Sequence, residues 1–151
     1  MPDPVTPEQT RQLAVDLFNE VWSLMERDDR SPADDDRMLH AAHASRYHWG
    51  EIGRPENLAR GEWQISRVYT VLGRGEPALY HARRCLDICA EHGIGDWDLA
   101  YAHEALARAY ETAGDRERAR ASRRDAERAA EQIADAEDRE HLEQDLQTLP
   151  A

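Results

Sequence analysis

Two histidines in the N-terminal third have side chains and spacing that suit metal or acid–base chemistry. His40 and His43 are three residues apart, so on a helix they share a face with Tyr47, with Asp36 one turn earlier. Two imidazoles could bind a metal ion, or one could act as a base oriented by the carboxylate. A zinc site needs three or four ligands, however, and the zinc-protease glutamate motif is absent. We therefore favour structural histidines, expect no metal and no cofactor, and keep His40 and His43 as the alternative.

A second stripe of metal-ligating and nucleophilic side chains lies further along the chain. Its members are separated by three or four residues, as on one face of a helix: His81, Cys85, Cys89 and His92. Four ligands spread along one helix cannot converge on one ion without help from another element. The two cysteines also lack the spacing of a CxxC redox motif. Buried thiols that fill a helix interface are the expected role of this stripe.

The chain also lacks groups that several common catalytic mechanisms require. All of its basic residues are arginine and none is lysine, which excludes a P-loop, a Schiff-base lysine and a Ser-Lys dyad. The pairs Gly73/Gly75 and Gly93/Gly95 follow no strand, so they indicate turns and not a dinucleotide-binding loop. No catalytic residue can be assigned, and the balance is against an enzyme.

Charge and hydropathy limit the class of partner. The formal net charge is −12, which argues against direct binding to nucleic acid and to an anionic membrane. No apolar run approaches the roughly 20 residues of a membrane span, and residues 1–4 lack the basic and apolar regions of a secretory signal. We therefore expect a cytoplasmic protein, and the length of 151 residues corresponds to a single domain.

Helical periodicity and turn residues organise these side chains into an all-α fold. Thr6-Pro7 starts the first helix, and Gly50, Gly53 and Pro55 end the second. The Gly73–Pro77 segment separates the third and fourth helices, and Gly93–Asp96 separates the fourth and fifth. No segment shows sustained alternation of apolar and polar residues, so no sheet is expected.

Two stretches of the chain are nearly superimposable. Around Tyr69 stand Ile65, Gly73, Ala78 and Cys85, and at the same offsets around Tyr110 stand Leu106, Gly114, Ala119 and Ala126. Each stretch predicts a helix, a turn at glycine, and a second helix whose small residues pack closely on the first. A repeated helical hairpin predicts a stacked array, and such arrays commonly present binding surfaces.

The two stretches 63–85 and 102–126 resemble tetratricopeptide (TPR) repeats, although their period of 41 residues exceeds the usual length of about 34. Residues 39–47 are otherwise similar to a segment of small bacterial proteins, which implies no activity. The resemblance implies a short right-handed stack of three antiparallel hairpins with a C-terminal helical extension. The expected boundaries are 5–50 for a degenerate first hairpin, 56–92 for the second, 96–135 for the third and 136–151 for the extension.

In TPR proteins the first helix of each hairpin lines a concave groove, so the resemblance implies which residues would face a ligand. The third helix would contribute Arg60, Trp63 and Arg67, and the fifth Tyr101, Glu104 and Arg108. Arginine beside tryptophan or tyrosine is a common combination in recognition surfaces, because it joins planar donors to rigid aromatic area. The alternative is that Trp63 belongs to the core and that the arginines pair with neighbouring glutamates.

These expectations combine into one functional hypothesis and two rivals. We expect an adaptor module that binds a protein or peptide segment, or a small anionic ligand, in the groove, with self-association through the ends of the stack. The first rival is a metal-dependent or acid–base enzyme with a site centred on His40 and His43 in the helix interior. The second is a regulatory sensor that acts through a partner protein.

Overall fold

The computed structural model describes residues 4–150, and this part of the chain is entirely helical, without a β-strand. The expectation of an all-α protein is confirmed. The seven helices are α1 (Pro7–Met25), α2 (Pro32–Ile52), α3 (Pro55–Val71), α4 (Gly75–His92), α5 (Asp96–Thr112), α6 (Arg116–Ala130) and α7 (Ala136–Gln147). The C-terminal extension therefore forms a regular helix of its own.

Helices α1 and α2 begin where the sequence supplies side-chain caps. Thr6 accepts a hydrogen bond from the backbone N–H of Gln9, and the Gln9 side chain accepts one from the backbone N–H of Thr6. Ser31 and Asp34 form the same reciprocal pair at the start of α2. Each pair satisfies two backbone donors that a helix start would otherwise leave unpaired, and it fixes where the helix begins.

Helices α3 and α5 end in the same way, at glycines with left-handed backbone angles. Gly73 has a φ of 75° and Gly114 a φ of 84°, values that residues with a side chain rarely adopt. The N–H of the next residue reaches back to a tyrosine carbonyl in both cases, Arg74 to Tyr69 at 2.8 Å and Asp115 to Tyr110 at 2.9 Å. These bonds close two equivalent helix ends.

Consecutive helices pair most extensively: α1 with α2, α3 with α4, and α5 with α6. Further contacts join α2 to α3, α4 to α5, and α3 to both α1 and α5. Within residues 4–150, α1 has no backbone-level contact with α5, α6 or α7, so the ends of the chain do not close on each other. Helix α7 packs against α5 and α6, where its Leu142 and Leu146 are buried.

Small residues allow the helices to approach closely. Alanines fill the interface between α4 and α5, where Ala78, Ala82 and Ala109 are fully buried. Ser66 Oγ donates to the carbonyl of Ala78 at 2.9 Å and ties α3 to α4. A thin core of this kind holds the helices as rigid rods that can position side chains on their outer faces. In the described part of the chain, no helix combines the length and the apolar character needed to cross a bilayer.

Candidate functional site

A cavity of about 350 Å³ lies where α3 and α5 face α1 and α7. Two arginines, three aspartates and four aromatic rings contribute to its wall. The lining residues are Trp22, Ala59, Arg60, Trp63, Arg67, Cys85, Trp97, Asp98, Tyr101, Asp138, His141 and Asp145. The cavity is at the lower end of the 300–1,000 Å³ that is typical of small-molecule sites.

Four of the six predicted ligand-binding residues line this cavity. Helix α3 supplies Arg60, Trp63 and Arg67, which are spaced by three and four residues and therefore share one face of the helix. Tyr101 reaches the cavity from the corresponding position of α5. The structure thus brings together side chains that the sequence places 41 positions apart.

The aromatic rings stand roughly at right angles around the cavity. The rings of Trp63 and Tyr101 have centroids 5.7 Å apart and planes at 81°, and those of Trp97 and Tyr101 are 6.4 Å apart at 82°. Trp22 extends this wall from α1, with its ring 5.5 Å from that of Trp63. Aromatic walls of this kind offer rigid area to a flat or apolar ligand.

Arg60 is fixed by an acid and by an aromatic face. Its Nε and Nη2 donate to the two carboxylate oxygens of Asp98, each at 3.0 Å, and its guanidinium lies 4.4 Å from the centroid of the Trp97 ring. The hydrogen bonds to Asp98 raise the pKa of Arg60 above its ordinary value. Its charge is therefore compensated by the Asp98 carboxylate, although the Arg60 side chain is partly exposed.

Glu104 lies beneath the surface that it was expected to share. Its side chain is 1% exposed, and its carboxylate accepts hydrogen bonds from Trp63 Nε1 at 3.2 Å and from Arg108 Nε at 2.7 Å. Arg67 Nη1 donates to the same carboxylate at 3.4 Å. A carboxylate surrounded by three donors is drawn inward, because each donor replaces water that burial removes. Glu104 and Arg108 therefore support the cavity from below and do not line it.

Arg67 is the less satisfied of the two arginines that share Glu104. Its long contact with Glu104 is the single hydrogen bond of its guanidinium within residues 4–150, although arginine carries five N–H donors. Burial and, after it, the positive charge of Arg108 lower the pKa of Arg67 below its ordinary value. A desolvated cation with spare donors in a cavity wall favours an incoming anion.

Helix α7 forms the remaining wall and is held in place by two polar contacts. Tyr101 Oη donates to Asp145 Oδ2 at 2.6 Å, and burial together with this acceptor raises the pKa of Tyr101. Arg108 Nη2 donates to the backbone carbonyl of Asp145 at 3.1 Å and to Thr148 Oγ1 at 2.8 Å. The C-terminal segment is thereby part of the site.

Sequence reasoning missed the residues that reach the cavity from outside the repeated stretches. In the sequence, Trp22 on α1 belongs to an apolar stripe. Trp97 is an apolar residue in the first turn of a helix. Asp138 and Asp145 lie in a segment whose helical pattern is weak.

The two histidine candidates lie in different environments. His40 is exposed, whereas His43 points inward, with Nε2 2.9 Å from the Tyr69 hydroxyl and its ring 5.3 Å from that of His81. Burial, followed by the nearby charge of His81, lowers the pKa of His43. Among residues 4–150, no group of three or more His, Cys, Asp or Glu side chains is placed to hold a metal ion.

The stripe of sulfur and histidine side chains on α4 separates into different environments. Cys85 and Cys89 are free, buried thiols in one hydrogen-bonded pair, which raises the pKa of Cys85 and lowers that of Cys89. His81 Nδ1 lies 2.7 Å from Glu62 Oε2, and His92 is exposed at the end of the helix. Cys85 touches the cavity as part of its floor.

Comparisons with known proteins do not assign this chain to a family. No family model, no curated protein and no solved structure matches the chain.

Proposed function

We propose that this protein is a binding module whose ligand, a segment of a partner protein or a small acidic molecule, enters the cavity between α3, α5 and α7. The observation that carries the proposal is the cavity of about 350 Å³ with aromatic walls and an arginine, Arg67, that has spare donors. Recognition would use aromatic area and charge-assisted hydrogen bonds, without covalent chemistry.

The architecture that we propose for this module is a TPR-like, right-handed stack of three helical hairpins. The pairing of α1 with α2, α3 with α4 and α5 with α6 supports it, as do the two equivalent glycine turns. In such a stack, the first helix of each hairpin faces the concave side. The contacts of α3 with α1 and α5 are consistent with this arrangement.

Self-association through the first hairpin is a subordinate part of the proposal. Val5 and Leu13 are exposed apolar side chains at this end of the chain, with 62% and 43% of their surface accessible. An exposed end of a helical stack is a natural contact for a second copy. Light scattering over a concentration series tests this point, and a constant monomer mass at every concentration would remove it without affecting the cavity.

The binding function can be tested with ligands selected on the intact protein. Peptides enriched from a random displayed library, together with a panel of small carboxylic acids, are titrated into the wild type, Arg67→Met and the matched control Arg124→Met by calorimetry. Arg124 is exposed on α6 and outside the cavity. We expect Arg67→Met to weaken binding roughly 10- to 100-fold, the range for loss of a charged hydrogen bond.

Two results would overturn the binding function. One is a library and acid panel that yield no ligand for the wild type. The other is a set of ligands that the wild type, Arg67→Met and Arg124→Met bind equally well, because such ligands would bind elsewhere on the protein. Thermal unfolding of all three proteins shows whether any loss of affinity comes from loss of folding.

A further inference from the structure

The size of the cavity limits its occupant to one small molecule or one residue. Helix α7 covers the C-terminal side of the groove, and the bonds from Arg108 to the end of α7 keep it there. The volume of about 350 Å³ corresponds to one compact ligand or one side chain of a longer one. The side chains of the wall therefore indicate the shape and the charges of a single compact ligand.

The ligand must present a flat or apolar body to the aromatic wall. The rings of Trp63, Trp97 and Tyr101 enclose the space on adjoining sides, at the near-perpendicular angles given above. Edge-to-face and offset contacts with such rings favour another aromatic ring. Because Trp63 is fixed by its hydrogen bond to Glu104, this wall is formed before a ligand arrives.

One end of the ligand should be negative. Arg67 has guanidinium donors without a partner among residues 4–150, whereas both oxygens of Asp98 and both of Glu104 accept hydrogen bonds. A carboxylate fits the flat fork of donors that a guanidinium offers. Arg67 is thus the one strong unsatisfied cationic group in this wall.

The other end should be positive. Helix α7 contributes Asp145 and Asp138 to the cavity wall. Asp145 uses Oδ2 for Tyr101 and keeps Oδ1 unused within residues 4–150, and the Asp138 carboxylate has no ion-pair partner in the same range. The negative charge of Asp145 also lies near enough to Arg67 to oppose the lowering of its pKa by burial. A cation and a free carboxylate therefore adjoin each other in the wall.

From this arrangement we infer that the cavity binds a free α-amino acid with an aromatic side chain, its carboxylate on Arg67 and its ammonium on Asp145. This inference rests on the proposed function, because it names the ligand of the same cavity. A ligand with only a carboxylate would be repelled by Asp145, and a ligand with only an ammonium would be repelled by Arg67. An amino acid carries both charges on neighbouring groups and satisfies both side chains.

The inference is tested first with ligands that differ by one group. The probes are L-phenylalanine, 2-phenylethylamine, which lacks the carboxylate, 3-phenylpropionate, which lacks the ammonium, and L-alanine, which lacks the ring. Calorimetric titration of the full chain should give binding of L-phenylalanine. Each of the other three should bind roughly 10- to 100-fold more weakly, as expected when one charged contact or the ring contact is lost.

Two variants then show which side chain binds the ligand carboxylate and which binds the ligand ammonium. Arg67→Met should weaken the binding of L-phenylalanine and 3-phenylpropionate but should not weaken the binding of 2-phenylethylamine, which Arg67 repels. Asp145→Asn should weaken the binding of L-phenylalanine and 2-phenylethylamine but should not weaken the binding of 3-phenylpropionate, which Asp145 repels. The exposed Arg124→Met and Asp87→Asn, which do not line the cavity, are the matched controls and should bind all four probes as the wild type does. This crossed pattern cannot arise from a loss of folding, which would weaken every probe together.

Other outcomes separate failure of the inference from failure of the proposed function. If L-phenylalanine does not bind while library peptides still depend on Arg67, the amino-acid ligand is wrong and the binding module stands. Equal affinity for L-phenylalanine and 3-phenylpropionate would also overturn the inference, because the ammonium would then have no role. N-acetyl-L-phenylalanine, which mimics a peptide C-terminus, should bind as weakly as 3-phenylpropionate; tight binding would favour a chain end and contradict a free amino acid.

Discussion

The hairpin α3–α4 and the hairpin α5–α6 have the same backbone design and different surfaces. Both first helices end at a left-handed glycine, and an arginine guanidinium lies over the tyrosine ring near each end, Arg74 over Tyr69 at 5.3 Å and Arg83 over Tyr110 at 5.7 Å. The glycine and the tyrosine at each turn are therefore alike in the two hairpins, whereas the two arginines occupy non-equivalent positions, Arg74 between α3 and α4 and Arg83 within α4. Differences are concentrated on the side that faces the cavity.

On that side, equivalent positions carry complementary groups and touch each other. Trp63 and Glu104 are 41 residues apart, one repeat length, and the indole N–H of the first donates to the carboxylate of the second. Arg60 corresponds in the same way to Tyr101, and both line the cavity. Two identical copies would offer two donors or two acceptors at this contact. Divergence between the repeats is thus what creates the site.

The largest effect on stability is expected from replacing Glu104, the acceptor in this contact between the two hairpins. Glu104→Gln keeps the shape but removes the charge that compensates Arg67 and Arg108, so the free energy of unfolding should fall by about 3–5 kcal/mol. The control is Glu111→Gln, whose contact with Arg116 is a surface pair 3.9 Å long and should contribute less than about 1 kcal/mol. Denaturant titration measures both, and equal losses would show that Glu104 is not a structural centre.

A smaller effect should distinguish Arg67 from its repeat equivalent, Arg108. Arg108 holds Glu104 and the end of α7 through three bonds, so Arg108→Met should cost about 2 kcal/mol of stability. Arg67→Met removes one long contact and should cost less than about 0.5 kcal/mol. Amide hydrogen exchange in α7 should also become faster only in the Arg108 variant. The reverse order would assign the structural role to Arg67.

The turns provide the test of what the two hairpins share. Gly73→Ala and Gly114→Ala each force a side chain into a left-handed conformation, which should cost about 1–2 kcal/mol. Space is open around both positions, so backbone strain is the sole cost and the two losses should match. Thermal or chemical unfolding of the two variants gives the comparison. A clear inequality would mean that the two turns are not equivalent.

The smallest effect is a pH dependence that both halves of the molecule should show. Burial lowers the pKa of His43 on α2 and of His103 on α5 below the ordinary value of about 6.5. The unfolded chain then binds protons more readily, so this contribution to stability is complete above about pH 6.5. It is lost as the pH falls toward the folded-state pKa. Denaturation at pH 7.5, 6 and 5 should show a shallower decline for His43→Gln and for His103→Gln than for the wild type.

The sequence predicted the scaffold well because its signals are local. The cap at Thr6 and the glycine ends at Gly73 and Gly114 each depend on a few neighbouring residues. Helical class follows from spacing, whereas the α3 face with Arg60, Trp63 and Arg67 was expected from the resemblance to TPR repeats. These features needed no knowledge of how the helices meet.

The site was predicted only in part because its remaining walls depend on long-range packing. Asp145 lies 44 residues from its partner Tyr101, and Trp22 comes from a helix outside the repeats. Glu104 was expected on the surface because a helical face does not show how many donors will converge on it. The arginines of two helices and one indole do so, and they draw it inside.

The distribution of the indole side chains has a practical optical consequence. The chain has four tryptophans, of which Trp22, Trp63 and Trp97 border one hollow and Trp49 is buried elsewhere on α2. The tryptophan fluorescence of this protein therefore originates mainly from side chains that line the cavity. Ligand binding in the cavity would change the surroundings of three of the four tryptophans and shift the fluorescence emission spectrum. Trp49 would supply a constant background. Intrinsic fluorescence therefore reports whether the cavity is occupied.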